Sequence, residues 1–540
     1  MSGFVTAWAG LGDEAHVSVA ASGAAAEAVG SQLDALVGDR VASRIAAKDA
    51  TLWGKAAESE ASIRLGWTEL HETTRAILPQ LGELAAALRA EGKTRVVLCG
   101  MGGSSLGPEV IARTNEVPLV VLDSTDPDQV REAVAGDLAS TVVVVSSKSG
   151  GTVETDSQRR AFEAAFTEAG LDPRQHIVVV TDPGSPLEKL SRDAGYRATF
   201  LADPNVGGRF SVLSAFGVVP SALAGVDVAG LLDEAAAVAP SFAEDDASNP
   251  ALVLAAAMCA VGKDKLVFRD DASGLVGLPD WAEQLIAEST GKNGVGLLPV
   301  VVEGAAPEIG QPDVADVRIA ALDAAPEGDI AVAGTLGGQF LLWEYATAIA
   351  GRILGINPFD QPNVESAKVA ARGLLDATPE PGPVAFVDGG IEVRALPASL
   401  LDGVDTVESA VAAIEAQLGA DGYLAVMAYL DREEFGPFAE VRDAIARRTS
   451  RPVTFGWGPR FLHSTGQMHK GGAPVGVFLQ ITGTFAKDLA IPDRPFTFGT
   501  LIAAQALGDA RVLADHDRPV LRLTLTEASQ LTRLRGILER

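Results

Sequence analysis

The spacing of hydrophobic positions changes near residue 95. Residues 1–90 are rich in alanine and place apolar residues three and four positions apart, as in LPQLGELAAALRA, which is typical of amphipathic helices. From residue 95 onward, short β-branched runs such as RVVLCG and TVVVVSS alternate with helical segments such as ETDSQRRAFEAAF. Continuous apolar strands that alternate with helices predict a parallel sheet covered on both faces, and therefore an α/β fold.

Two proline-bearing stretches interrupt this alternation, PSFAEDDASNP at 240–250 and ATPEPGP at 377–383. We place domain boundaries close to them. The predicted parts are a helical N-terminal segment (1–90) packed on the first of two doubly wound α/β domains (91–240), the second domain (241–378) and a C-terminal α/β module (384–540).

Charge and composition narrow the function classes. A formal net charge of −28 argues against binding to nucleic acid or to anionic membranes. The chain contains no apolar run long enough for a transmembrane helix, and its first residues lack the basic segment of a secretory signal. Cys99 and Cys259 both lie in apolar surroundings, which favours a reducing, cytoplasmic location over disulfide bonding. A phosphorylated substrate would need locally placed cations and backbone amides.

Two loops offer such groups, because each follows a predicted strand and precedes a helix. GMGGSSLGP (100–108) follows RVVLC, and SSKSGGTVET (146–155) follows TVVVV. Ligands of open α/β sheets bind at the carboxyl ends of the strands, and a helix N-terminus favours an anion. One such loop is more often a plain turn, whereas two together favour a phosphate site. The candidate phosphate ligands are Ser104, Ser147, Lys148, Ser149 and Thr152, and Gly103 is a candidate substrate contact.

These two loops, together with four further segments, resemble the phosphoglucose isomerase family. The further segments are NVGGRFSVLSAFG (205–217), AEQLIAESTGK (282–292), INPFDQPNVESAK (356–368) and FLHSTGQMHKGG (461–472). The resemblance covers residues 95–375 and the last segment, and it implies that the two α/β domains are sugar-isomerase domains. The C-terminal module with its late histidine is similar to the isomerase portion that some bacteria fuse to a transaldolase, although nothing in this chain resembles a transaldolase barrel.

The resemblance also implies a role for each candidate residue. Glu288 would be the base that moves a proton between two neighbouring carbons, and Arg209 would stabilise the enediolate between these steps. Lys368 and His463 would open the sugar ring, and Gln361 would contact the substrate. Without the resemblance, Glu288 and Lys368 would be interpreted as solvated side chains, Arg209 as a helix-start arginine paired with a surface acid, and Gln361 as part of a polar turn.

Two features depart from the common form of the family, the C-terminal module and the order of the segments. Here the histidine segment follows both the glutamate and the lysine segments, so His463 is a weaker assignment than the others and His469 competes with it. The family's histidine is donated across a dimer interface. A homodimer is therefore expected, or a monomer if the same chain supplies the histidine.

The implied activity is the interconversion of glucose 6-phosphate and fructose 6-phosphate through a cis-enediol. No metal and no cofactor are expected, since one carboxylate serves both halves of the proton transfer. Two alternatives stay open from the sequence. One is a broader isomerase that also accepts mannose 6-phosphate, and the other is a non-catalytic regulator that only binds a phosphosugar.

Overall fold

The computed structural model describes residues 4–12, 14–364, 373, 381–485 and 487–540. The strands are β1 (Val5–Leu11), β2 (Glu14–Ala21), β3 (Arg95–Cys99), β4 (Val120–Leu122), β5 (Thr141–Ser146), β6 (Ile177–Thr181), β7 (Ala198–Leu201), β8 (Lys265–Asp271), β9 (Leu298–Val302), β10 (Val314–Ala320), β11 (Ile330–Gly334), β12 (Phe386–Asp388), β13 (Ile391–Leu396), β14 (Tyr423–Tyr429), β15 (Val453–Trp457), β16 (Gly476–Gly483) and β17 (Val520–Leu525).

The helices alternate with these strands after residue 95. They are α1 (Gly23–Gly38), α2 (Val41–Ala46), α3 (Glu58–Ala61), α4 (Leu70–Thr73), α5 (Leu78–Ala90), α6 (Leu106–Thr114), α7 (Pro127–Val134), α8 (Val153–Glu168), α9 (Pro186–Ala194), α10 (Ala215–Ala224), α11 (Val228–Phe242), α12 (Pro250–Met258), α13 (Leu278–Thr290), α14 (Leu336–Ile353), α15 (Val407–Glu415), α16 (Arg432–Phe435), α17 (Val441–Thr449), α18 (Gly466–Gly471), α19 (Phe498–Asp515) and α20 (Gln530–Leu538).

The first sheet has the strand order β4-β3-β5-β6-β7 and is parallel throughout. Its central strand β5 is buried on both faces. Val142 and Val144 belong to the same core cluster as residues of α6 and α10, and Val143 and Val145 to the cluster of α7 and α8. Both faces need apolar side chains, which explains the continuous valine run. Because β3 and β5 are neighbours, the loops that leave their carboxyl ends lie side by side.

The second sheet has the order β1-β2-β11-β10-β8-β9, and its last four strands are parallel. The prediction that residues 1–90 are helical is wrong for residues 5–11 and 14–21. They form the antiparallel hairpin β1–β2, which pairs with β11 and widens the second sheet. The alternation that buries Ala7, Ala9, Val17 and Val19 was concealed by the high alanine content of this segment. In the same sheet, α13 follows β8 and packs against α14.

The C-terminal sheet has the order β12-β13-β17-β16-β14-β15. One face is covered by helices of the same module, among them α15, α17 and α20. The other face packs on the second sheet, where Tyr423 and Met427 share a core cluster with Val267 of β8 and Leu298 of β9. The sheets of the chain are therefore mainly parallel, which confirms the predicted α/β class. The exact domain limits stay a prediction.

Candidate active site

The two glycine-rich loops lie side by side at the carboxyl end of the first sheet and form a cradle. Gly102 and Gly150 adopt left-handed backbone angles, with φ of +56° and +66°, that most side chains disfavour. Ser147 and Thr152 lie with their hydroxyl oxygens 2.9 Å apart. Thr152 precedes α8 without a capping side-chain hydrogen bond. The first N–H groups of α8 can therefore be used to bind an anion.

Gly103 brings a third loop, which carries Gly208, against this cradle. A Cβ atom at residue 103 would lie 2.0 Å from the carbonyl oxygen of Gly208. Only glycine allows the two backbones to approach so closely. Since Arg209 follows Gly208, this contact places the arginine beside the cradle.

The guanidinium of Arg209 is held on several sides. Its Nε donates to Ser289 Oγ at 2.8 Å, its Nη1 to Gln361 Oε1 at 2.6 Å, and its Nη2 to the Pro358 carbonyl at 2.6 Å. The residue is 3% exposed. Burial lowers the pKa of Arg209, and the negative charge of Glu288 opposes that shift. The side chain is thus a fixed cation with a defined direction.

Glu288 lies on the last turn of α13 and is 8% exposed. Its Oε1 is 3.3 Å from Arg209 Nη1, and its Oε2 accepts a hydrogen bond from Gln284 Nε2 at 3.2 Å. The same amide nitrogen donates to the carbonyl oxygen of His463 at 2.6 Å. Gln284 therefore joins the carboxylate of α13 to the turn that carries the histidine.

The imidazole of His463 is oriented by a carboxylate. Its Nε2 lies 3.0 Å from Glu154 Oε1, and Gln505 Nε2 donates to the same oxygen at 2.6 Å. Because a carboxylate accepts and does not donate, Nε2 carries the hydrogen of this bond. The histidine comes from the same chain as Glu288.

Lys148 is already paired at the edge of the cradle. Its ammonium forms an ion pair with Asp182 and donates to the Pro204 carbonyl at 3.3 Å. Arg64, from the N-terminal segment, donates to the same carbonyl at 3.4 Å. Two cations therefore converge at this side of the site, although the chain as a whole is strongly acidic.

A single cavity of about 470 Å³ is lined by most of the predicted residues. They are Gly103, Ser104, Ser147, Lys148, Ser149, Thr152, Arg209, Glu288, Gln361 and His463. Lys368 lies outside the residues that the structure describes. His469 does not line the cavity: its Nδ1 is 3.0 Å from the hydroxyl oxygen of Tyr423, and burial lowers its pKa to about 3.

Sequence reasoning missed Glu154, Gln284, Gln505 and Arg64, which also line the cavity. Glu154 stands inside the quoted SSKSGGTVET segment, so a carboxylate next to a predicted anion site was a signal that could have been followed. Nothing in the sequence marked Gln505 or Arg64. They reach the cavity from α19 and from residues that precede the first domain.

The described part of the chain offers neither a metal cluster nor a membrane span. Across the described residues, no three His, Cys, Asp or Glu side chains are grouped so that they could share a metal ion. Among the described helices, none combines the length and the apolar character needed to cross a bilayer.

Comparison with known proteins identifies the family. A family model described as phosphoglucose isomerase matches residues 81–295. A probable glucose-6-phosphate isomerase of Methanococcus maripaludis is 31% identical over 359 residues, which are 54% of this chain and 81% of that protein. The chain belongs to the phosphoglucose isomerase family. The residues that the family model matches include the cradle, Arg209 and Glu288. The match ends before Gln361 and His463, which line the same cavity in this chain.

Other relatives cover different shares of the chain. A glucose-6-phosphate isomerase of a Cyanothece species is 36% identical over 217 residues, which are 37% of this chain and 40% of that protein. Among solved structures, a hypothetical protein from Thermus thermophilus is similar, with a TM-score of 0.54 and 26% sequence identity. The similarity covers 65% of the present chain and 97% of the Thermus chain. The chain thus matches less than half of the cyanobacterial relative.

Proposed function

We propose that this chain interconverts glucose 6-phosphate and fructose 6-phosphate, with Glu288 as the base that carries a proton between C2 and C1. Family membership supports the reaction. One observation supports the assignment of the base: Glu288, with a fixed arginine 3.3 Å away, lines the same cavity as the anion cradle. A regulator that only bound a phosphosugar would need the cradle but neither of these two groups.

The cradle would hold the phosphate tail of the sugar. Hydroxyls of Ser104, Ser147, Ser149 and Thr152 and the N–H groups at the start of α8 are suited to this role. The carboxylate of Glu288 would take the proton from one carbon and return it to the next, on the same face of the sugar. The guanidinium of Arg209 would stabilise the negative charge of the cis-enediolate.

Ring opening would fall to His463. Its Glu154 contact fixes the ring and leaves Nδ1 to exchange a proton in the neutral form. The implied second partner, Lys368, stays a prediction. Lys148 also stays a proposed phosphate contact, one that must act while its ammonium is paired with Asp182.

A coupled assay of fructose 6-phosphate conversion tests the proposal with the Glu288→Gln variant. We expect kcat to fall by about 10²- to 10⁴-fold, which is the usual contribution of a positioned general base, while KM changes little. Glu283→Gln is the matched control, because Glu283 lies on the same helix but does not line the cavity. Substantial turnover by Glu288→Gln would remove Glu288 from the role of base.

The same assay separates the remaining alternatives. Turnover of mannose 6-phosphate at a comparable rate would favour the broader isomerase, and loss of activity with a chelator would contradict a metal-free reaction. We propose that the partner is a hexose 6-phosphate, that nucleic acid and membranes are not partners, and that one chain forms a complete site. The expected cytoplasmic location remains a prediction.

A further inference from the structure

Lys292 is a buried lysine directly behind the candidate active site. It follows α13, four residues after Glu288, and its side chain is 2% exposed. Its ammonium donates to the main-chain oxygen of Asp360 at 2.6 Å and to the carboxylate of the same residue at 2.8 Å. Lys292 does not line the cavity, so these contacts serve the protein rather than the substrate.

Both contacts fall on the turn that holds Arg209. The Asp360 carbonyl that binds Lys292 also accepts a hydrogen bond from Arg209 Nη2 at 3.2 Å. The residues on either side of Asp360 in this turn bind the same guanidinium through the Pro358 carbonyl and the Gln361 side chain. The turn of residues 358–361 is therefore fixed by two buried cations, of which only Arg209 faces the cavity.

We propose that protonated Lys292 is a positioning residue, which holds the 358–361 turn so that Arg209 and Gln361 stand correctly against Glu288. This inference rests on the proposed function. Without the ammonium, the turn would keep its bonds to Arg209 and the packing of the Phe359 ring on Trp53 and Phe210. The Asp360 side chain would lose its cation, and Arg209 would have to orient the Asp360 peptide instead of being oriented by it. A displacement of about 1 Å among reacting groups can reduce the rate by about 10²-fold.

The charge of Lys292 also supports a pH dependence. Burial, followed by repulsion from Arg209, lowers its pKa to about 8, while Asp360 and Glu288 act in the opposite direction. Helix α18 packs on Gly291, the residue before Lys292, through the apolar residue Met468. The charged Lys470 of that helix is paired with Asp509. The ammonium is therefore present below about pH 8 and is lost as the pH rises through that value, together with its attraction to the Asp360 carboxylate.

Two variants and the wild-type protein test this role through pH profiles of kcat and KM for fructose 6-phosphate between about pH 6.5 and 9.5. Wild-type kcat should decline above about pH 8. Lys292→Met should lower kcat by about 10- to 100-fold with little change in KM, and it should abolish this alkaline decline. Asp360→Asn keeps the carbonyl but removes the carboxylate that favours the ammonium, so it should move the decline to lower pH.

Lys265→Met is the matched control. Lys265 is also 2% exposed and is paired with Asp264 and Asp313 at the start of β8, and it does not line the cavity. The Lys265→Met variant should be less stable than the wild-type protein but should keep the wild-type pH profiles of kcat and KM. A crystal structure of Lys292→Met should in addition show the 358–361 turn and the Arg209 guanidinium displaced, a result that requires no activity.

The outcomes separate the two proposals. A wild-type protein that converts no hexose phosphate would overturn the proposed function. An active wild-type protein whose Lys292→Met variant has unchanged kcat and an unchanged alkaline decline would overturn the role of Lys292 alone. The same holds if Asp360→Asn leaves the position of the decline where it is, or if Arg209 keeps its place in the crystal structure of the lysine variant.

Discussion

Burial has different consequences for two glutamates of this chain. Glu288 lies beside the guanidinium of Arg209 and the amide of Gln284, which can stabilise a negative charge. Glu344, in the middle of α14, is fully buried, and neither carboxylate oxygen has a hydrogen-bond partner among the described residues. Burial raises its pKa well above the ordinary value. Burial therefore favours the protonated form of Glu344 in the folded protein.

Glu344→Gln is predicted to stabilise the protein above about pH 5, because glutamine mimics the protonated acid. The unfolded chain releases this proton near the usual glutamate pKa of about 4.3. The protonated group therefore makes its full contribution to the free energy of unfolding below that pH. As the pH rises, this contribution falls by about 1.4 kcal/mol per pH unit until the folded group ionises. Melting temperatures of both proteins from pH 5 to 8 check this. A difference that stays constant over this range would contradict it.

Single residues were predictable where a motif surrounds them. Arg209 after a glycine pair, Glu288 before STGK and Gln361 in FDQP were found by resemblance, and all three line the cavity. Glu154 was missed because an acid in the first turn of a helix is favourable for the helix itself and needs no further explanation. Lys292 was passed over because its role depends on Asp360, which is distant in sequence.

At the scale of elements, the position of Arg209 beside the cradle depends on two loops that touch through their backbones. The loop after β3 meets the Gly208–Arg209 peptide at Gly103, where a Cβ atom would lie 2.0 Å from the Gly208 carbonyl oxygen and 3.0 Å from the Arg209 nitrogen. Backbone atoms on both sides leave no flexible side chain that could move away. Any larger residue must therefore separate the cradle from the arginine.

Gly103→Ala is predicted to lower kcat/KM by about 10²-fold or more, because the added methyl group displaces Arg209 from the cradle. Gly82→Ala is its control. Gly82 lies on α5, where a Cβ atom meets nothing within 4 Å. Steady-state kinetics of both variants decide the matter, and a Gly103→Ala enzyme with wild-type kcat/KM would show that the loops can separate without loss of function.

Elements were predictable where their periodicity is strong. The parallel strands of the first sheet follow directly from runs such as TVVVV, whose two faces are both buried. The hairpin β1–β2 was not predicted, since alanine fits helices by propensity and only its pairing with β11 makes this segment a strand. Tertiary contact, which one sequence window does not contain, decides such cases.

At the scale of the whole molecule, the C-terminal module bridges the two preceding sheets. Its own sheet packs on β8 and β9, and Ile491, Phe498 and Leu501 enter the core cluster of α7 and α8. Between these two contacts, the module places His463 beside Glu154 of the first sheet's α8 and Gln284 of α13. The sequence suggested a separate module, but its function as a bridge depends on the assembled fold.

The same arrangement predicts that a single chain is catalytically complete. Glu288→Gln and His463→Ala chains, each inactive alone, should stay inactive after they are mixed and refolded together, because both residues act within one chain. Differently tagged chains, purified in sequence, show whether mixed oligomers have formed. Activity recovered in such oligomers would mean that the histidine is supplied by a partner. Wild-type specific activity should likewise be independent of protein concentration, since dilution removes no group from the cavity.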